Sequence, residues 1–461
     1  MVEDTAPAEQ SGLRRALSAR QVGMIAIGGA IGTGLFLSSG LAISVAGPAV
    51  IIAYAVAALA ALALAYALAE MVVVHPEAGG FGAVIREYLG GLPGFVSRWM
   101  YWAAQVVNIG SEVIAAGLYL QFWYPQIPLW VPVVGFSVVM LAVNFAAVRF
   151  FGEFEYWFAM IKVATIVVFI ALGVIYIVFG LPGHAPAGVG ALTEHGGFLP
   201  NGLGAVWLAL TVVTFSYLGT EAFSMTAAES RDPSRAVPRA ARNTVLRLAL
   251  FYVLGMAVVV SILPWNEVSS SDAVSESPFV RLFSMVGIPA AAGIMNFVVL
   301  TAALSAMNTN LYLTARMTHS LALDGYAPKW FAGVSSNGVP RRALVLSALG
   351  LALASALAFF TEKSAFPLLM GLALFAALVV WLMIFGSHLV FRRRRAAQGL
   401  EPSPVRLPGA PVTTALAMLF VAAVLLTTPF TEQFNTAWKA GVPALVVLAI
   451  AYYAIKRRQR A

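Results

Sequence analysis

The sequence predicts an all-α fold, a polytopic membrane bundle of 12 transmembrane helices in which helices 1 and 6 are broken near mid-membrane. Composition is the first reason: 60% of the 461 residues are hydrophobic and 10% are charged, with a mean hydropathy of +0.86. Soluble domains carry about 25% charged residues. The second is a recurrence of apolar runs of about 20 residues, the length a helix needs to cross a bilayer at about 1.5 Å per residue. The third is what two of those runs contain: Gly28-Gly29-Ala30-Ile31-Gly32-Thr33-Gly34-Leu35-Phe36 in one, Phe215-Ser216-Tyr217-Leu218-Gly219-Thr220-Glu221 in the other. Lipid offers the backbone no hydrogen-bond partner, so a spanning helix normally satisfies its own N–H and C=O groups. Glycine at this density lowers the cost of leaving helical geometry.

Taken in order, the spans fall at roughly 23–45, 48–70, 95–122, 129–148, 155–180, 203–228, 244–264, 279–312, 343–361, 366–390, 411–428 and 438–456. The third and eighth are long enough to tilt strongly. Broken spans one and six are separated by five steps, an odd number, so repeats at about 23–180 and 203–390 would run in opposite senses through the membrane. An inverted pair of that kind places a solute site at its interface, where freed backbone groups bind it. The chain then divides into a cytoplasmic segment 1–22, a ten-helix core 23–390, a basic loop 391–410, two further spans in 411–456, and a short tail 457–461.

Four connections carry some pattern. The 2–3 loop, His75-Pro76-Glu77-Ala78-Gly79-Gly80 followed by Phe81 to Tyr88, has an amphipathic tail suited to lying at the membrane interface. The 5–6 loop, 181–202, is rich in Gly and Pro. The 7–8 loop, Glu267 to Ser277, is Ser-rich and acidic and reads as a solvated connector. The 8–9 loop passes through Asp324-Gly325-Tyr326-Ala327-Pro328-Lys329-Trp330 and reads as two short helices.

The formal charge of +8 is a topology signal rather than a nucleic-acid surface. About 24 of the 28 Lys and Arg fall on one side of the spans, from Arg14, Arg15 and Arg20 through Arg235 to Arg247 and Arg392 to Arg395. Arg281, Lys363 and Lys439 fall on the other side, and Lys162 lies within a span. Positive loops stay in the cytoplasm, which puts both termini inside, in agreement with an even number of spans. The first apolar run is long and lacks a convincing cleavage site, so it reads as a span rather than a signal peptide. Cysteine is absent, which excludes disulfides and thiolate chemistry. The five histidines (His75, His184, His195, His319, His388) are scattered without ligand spacing and read as loop or helix-end residues, so no metal is expected. Nor is there a nucleophile–base pair of recognisable spacing, which argues against an enzyme. Paired broken helices imply a closed midplane site and argue against a channel.

The chain resembles the amino acid–polyamine–organocation superfamily, and within it the bacterial amino acid transporter family that includes GABA and aromatic amino acid permeases. The resemblance rests on Gly29 to Phe36 in span one, Ala46-Gly47-Pro48 at the start of span two, and Gly152-Glu153-Phe154-Glu155-Tyr156-Trp157-Phe158-Ala159-Met160-Ile161-Lys162 in span five. It continues through Phe215 to Glu221, Glu229-Ser230-Arg231-Asp232-Pro233, Val237-Pro238-Arg239, Ser305 to Thr309 and Arg316-Met317. It implies a LeuT-like fold of five-plus-five inverted repeats and secondary active uptake of an amino acid across the bacterial inner membrane. The expected mechanism is proton symport by alternating access, with an exchanger of the same fold as the alternative. GABA or another small amino acid is admitted as substrate, and oligomeric state is left open.

The resemblance also implies roles for particular residues. An amino acid zwitterion must exchange its hydration for protein groups at both ends. Amides of Thr33 and Gly34 match the family's carboxylate-binding amides, and such freed N–H groups sit at the positive end of a half-helix. Carbonyls of Ala30 and Leu218 match the ammonium site. With Ile31, Gly32, Ser216, Gly219 and Thr220 they form the candidate substrate-binding set, the alternative being close helix packing through small residues. Phe215 falls where the family keeps an aromatic that closes over the substrate, often Trp; the alternative is ordinary core packing.

Three ionisable groups read as lying within spans: Glu112, Lys162 and Glu221. Unpaired at mid-membrane, each costs at least about 2.5–3.5 kcal/mol, so each needs a partner or a purpose. By resemblance Lys162 occupies the place where sodium-coupled relatives hold sodium between spans one, five and eight, so the proton and not sodium is the expected coupling ion. Ser305 is the favoured span-eight partner, and a snorkelling lysine is the alternative. Glu221 reads as a proton-coupling group or as a static link between helices. Glu112 reads as a second proton site or a contact for the substrate side chain, or else as a neutral carboxyl paired with Asn108. Glu70, at a helix end, reads as solvated.

Overall fold

A computed structural model describes residues 18–75, 80–145, 148–181, 183–225, 230, 232–270, 277–285, 290–360, 365–431 and 434–460. Arg14, Arg15, Glu229, Arg231, Lys363 and parts of the 2–3 and 7–8 loops (76–79 and 271–276) lie outside the described residues. No β-strand is present among the described residues, which carry only isolated bridges.

The first span opens with α1 (Ala19–Ala30), started by a reciprocal capping box between Ser18 and Gln21. It continues as α2 (Thr33–Phe36) and α3 (Ser38–Ala46), and Gly47, at φ +61°, ends it. Next come α4 (Val50–Val72), α5 (Phe81–Leu89), α6 (Gly91–Gln121), α7 (Trp130–Phe145) and α8 (Val148–Phe179). The second half holds α9 (Gly202–Phe215), α10 (Ala222–Met225), α11 (Pro233–Ile262), α12 (Trp265–Ser270), α13 (Pro278–Met285), α14 (Ala291–Leu323), α15 (Arg341–Ser347), α16 (Leu349–Phe360) and α17 (Ala365–Ala397). Two more helices, α18 (Val412–Thr427) and α19 (Asn435–Arg460), close the chain.

Among the described residues nine stretches are long and apolar enough to cross a membrane, and α7 and α9 are shorter apolar helices. One of the nine, Thr33–Val72, is itself divided at Gly47–Ala49, which accounts for the twelve spans. At the centre α6 packs against both α14 and α17. The residues of α14 from Val298 to Ala322 are buried all round, although they include Ser, Thr, Asn, Arg and His. A helix that is buried all round yet polar in sequence belongs to a protein interior that binds or moves something polar.

Several expectations need correction. Span seven begins at Pro233 rather than near 244, because Arg235, Arg239 and Arg242 extend the helix beyond its apolar window. Asp232 caps it by accepting from the Arg235 amide. The run 279–312 is two elements, α13 and α14, and Ala290 at φ +64° precedes the second. The 8–9 loop holds one 3₁₀ turn, Lys329–Ala332, rather than two helices. Trp265–Ser270, expected in part as solvated connector, is helical. The apolar face of α5 (Phe81, Val84, Ile85, Tyr88) is covered by protein rather than by the interface.

Glu70 is the largest miss. It is buried, not solvated, and its carboxylate accepts from His388 Nε2 at 3.0 Å, Arg392 Nε at 2.8 Å and the Leu407 amide at 2.9 Å. The clasp joins α4 to α17 and to the segment beyond it. His319 and His388, expected at loops or helix ends, are both fully buried.

A second cluster ties α5, α6 and the end of α14 together. The fully buried Arg98 donates to Asp324, to Ser320 Oγ at 3.1 Å and to the Gly94 carbonyl at 2.9 Å, while Arg86 reaches Asp324 at 2.6 Å. Asp324→Ala leaves the Arg98 cation buried without its carboxylate, and removing one partner of a buried pair costs about 3–5 kcal/mol. Arg86→Ala removes a partly exposed partner of the same carboxylate and should cost about 0–1 kcal/mol. Thermal unfolding of the two purified variants checks this. Equal midpoints for both would show that Arg98 does not depend on Asp324.

Candidate functional site

The break in span one is built by two residues. Ile31 takes extended dihedrals while its N–H still closes the last turn of α1, onto the Ile27 carbonyl at 3.0 Å. Gly32, at φ −136° and ψ −147°, then turns the chain so that α2 starts anew at Thr33. Carbonyls that α1 would otherwise use internally now face side chains: Ala30 O accepts from Tyr252 Oη at 2.8 Å and Ile31 O from Lys162 Nζ at 2.8 Å. On the other side of the break the Thr33 amide donates to both Glu112 oxygens, at 3.2 and 3.3 Å, and the Thr33 hydroxyl donates to Oε1 at 3.1 Å. The break is thus bracketed by a buried ammonium at its carbonyl face and a buried carboxylate at its amide face.

Span six breaks differently. After α9 the chain runs through turns at Ser216 to Glu221 before α10, with Gly219 at φ +92°. That is a left-handed conformation that only glycine adopts without strain. The Glu221 side chain accepts from the Gly219 amide at 3.1 Å and so closes the turn on itself. Tyr101 and Trp381 lie beside the Glu221 carboxylate. Leu218 and Thr220 are buried, and the Thr220 hydroxyl makes no hydrogen bond among the described residues.

The two breaks lie against each other. A Cβ on Gly34 would stand 2.6 Å from Ser216 Cα, and one on Gly219 would stand 2.5 Å from the Gly29 carbonyl oxygen. The Ser216 hydroxyl donates to the Gly34 carbonyl, and Tyr54 Oη lies 3.3 Å from Ser216 Oγ. Gly32 is equally tight, since a Cβ there would stand 2.5 Å from Glu112 Oε1. These glycines are close-approach positions. Phe215 is buried at the edge of this junction, its carbonyl 3.4 Å from the same notional Cβ of Gly34.

Sequence reasoning missed Glu155. It is fully buried on α8, accepting from the Ser305 hydroxyl and from Asn308 Nδ2 at 3.1 Å, and Asn308 in turn accepts from Asn144 Nδ2 at 2.6 Å. The Ser305 hydroxyl therefore goes to Glu155. The signal was present: Glu155 and Lys162 are seven residues apart, on one helix face, whereas Glu153 points away and accepts from Gln21 Nε2. Glu112 does not pair with Asn108, whose Oδ1 is taken by the Ser111 hydroxyl. Tyr252 and Tyr54 were also missed, because tyrosines in apolar runs carry no mark of their partner.

A helical membrane bundle with two abutting breaks, lined by freed backbone groups and buried charges, is the architecture of a membrane transporter. The chain belongs to the amino acid permease family, whose model matches residues 21–461, and it has the LeuT-like fold of that family. It is 40% identical over 442 residues to the aromatic amino acid transport protein AroP of Escherichia coli O6:H1, covering 95% of each chain. To the probable threonine/serine transporter YbxG of Bacillus subtilis it is 37% identical over 443 residues, covering 96% of this chain and 95% of that one. An uncharacterized amino acid permease of the same bacterium, YvbW, is 38% identical over 448 residues. This is a multi-pass amino acid permease, not an enzyme.

Proposed function

We propose that the protein imports a neutral α-amino acid across the bacterial inner membrane by proton symport, with both termini in the cytoplasm. One observation carries the reading: the Thr33 amide and hydroxyl hold the Glu112 carboxylate while the Ile31 carbonyl, two residues away, holds the Lys162 ammonium. The Thr33 amide, one of the two expected to bind a substrate carboxylate, here binds one of the protein's own. Protonation of Glu112 removes the charge that competes for Thr33, so proton and substrate enter together. Lys162 supports the span-one carbonyls as a sodium ion would, and loss of its proton loosens them. Relatives named for aromatic amino acids and for threonine/serine favour a neutral α-amino acid over GABA. The excess of lysine and arginine on one side of the spans read from the sequence supports the orientation.

Purified protein in liposomes tests this. An inward proton gradient should drive accumulation, a proton ionophore should abolish it, and replacing sodium by choline at fixed pH should leave it unchanged. A large loss in choline would overturn the proton assignment. Uptake that needed amino acid inside the liposome would make the protein an exchanger.

A further inference from the structure

One cavity shares no lining residue with the helix breaks. It measures about 440 Å³ and lies where the last turns of α17 meet the segment leading to α18. Its wall carries four guanidinium groups, Arg392, Arg393, Arg395 and Arg406, against one carboxylate, Glu70. That carboxylate is already satisfied within the clasp, and Arg392 is spent on it and on the Leu407 and Ala410 carbonyls. Arg395 is held over the Phe391 ring and donates to the Glu401 carbonyl, and its buried Nε makes no hydrogen bond among the described residues. Arg393 and Arg406 are exposed and pair with nothing among the described residues. The cavity therefore has a surplus of positive charge with donors to spare, and its size suits a small ligand (about 300–1,000 Å³).

The chemistry that matches is a phosphate, which arginine binds through paired N–H groups. The surroundings say where the phosphate comes from. Pro411 lines the cavity and the next residue starts α18, whose Val412, Leu416 and Leu419 are 64, 61 and 66% exposed. Spaced at i, i+4 and i+7, they form one apolar stripe on the outside of the bundle. The stripe is a track for an acyl chain that begins at the cavity mouth.

We propose that this cavity binds the headgroup phosphate of an anionic phospholipid, with the lipid's acyl chain along α18. The site stabilises the α4–α17 clasp from outside, because Arg392 belongs to both. It is separate from the substrate site and does not depend on the coupling ion.

The test is the thermal midpoint of the full-length protein in a neutral detergent, titrated with dioleoylphosphatidylglycerol. The midpoint should rise with this lipid and not with dioleoylphosphatidylcholine. Each arginine near an anionic headgroup contributes about a fivefold change in affinity. Arg393→Gln with Arg406→Gln should therefore shift the titration by roughly twenty-five-fold. Arg457→Gln with Arg458→Gln, basic residues at the end of α19, should not shift it. An equal response to inorganic phosphate would overturn the lipid assignment. Equal titrations for the parent and the Arg393/Arg406 variant, or an equal loss in the Arg457/Arg458 variant, would overturn the site.

Discussion

Lys162→Arg should give a protein that folds and binds substrate but does not concentrate it against a gradient. The lysine is fully buried, and its ammonium lies 2.8 Å from the Ile31 carbonyl in the span-one break. Glu112 and Glu155 act on it electrostatically. An arginine keeps the positive charge but cannot readily give up its proton in a protein. The carbonyls would then be held without release. Exchange of labelled for unlabelled substrate should survive at a measurable rate, while proton-driven accumulation should fall to equilibrium with the outside. Lys162→Ala should fail by another route: with the donor gone, the Ile31 carbonyl loses its partner, at about 1–3 kcal/mol. Substrate affinity should drop by roughly tenfold in consequence. Near-normal accumulation by a monodisperse Lys162→Arg protein would remove Lys162 from the coupling mechanism.

Gly34→Ala should reduce substrate binding by roughly tenfold or more, since overpacking of this kind costs about 1–3 kcal/mol. The added methyl would stand 2.6 Å from Ser216 Cα, and backbone cannot rotate out of the way as a side chain does. The two breaks must therefore separate, taking the Ser216–Gly34 hydrogen bond with them. Gly204→Ala, on α9 with nothing within 4 Å of the new carbon, is the control and should behave as the parent. Binding measured by calorimetry on both proteins decides. If Gly34→Ala bound like the parent, the close approach of the two breaks would have no bearing on substrate.

The helix breaks were legible because their cause is local. Gly32 and Gly219 sit where the chain leaves helical geometry, and glycine inside an apolar run is visible without any knowledge of neighbours. Lys162, Glu112 and Glu221 were legible for a similar reason, since a charge inside a span stands out against its surroundings. Their partners were not. Nothing in the sequence says that Glu112 reaches the Thr33 amide 79 residues away, or that Glu155 rather than Lys162 receives the Ser305 hydroxyl. Glu70 shows the limit best. At the end of a span it looks like a solvated carboxylate, and only the fold brings His388 and Arg392 to it from more than 300 residues away. Span seven shows the converse: hydropathy ends where polarity begins, but the helix continues.

The Glu70 clasp has a practical consequence for measuring motion in this molecule. Sliding α4 past α17 would strand the carboxylate, at about 3–5 kcal/mol, so the clasp opposes movement of one helix relative to the other. Their separation becomes an internal length standard. The chain has no cysteine, so thiols introduced for spectroscopic labels compete with no native one. Two labels across the clasp should report one constant distance in every conformation. A pair spanning α1 and α6 can then be calibrated against them, and drift of the instrument told apart from movement of the protein.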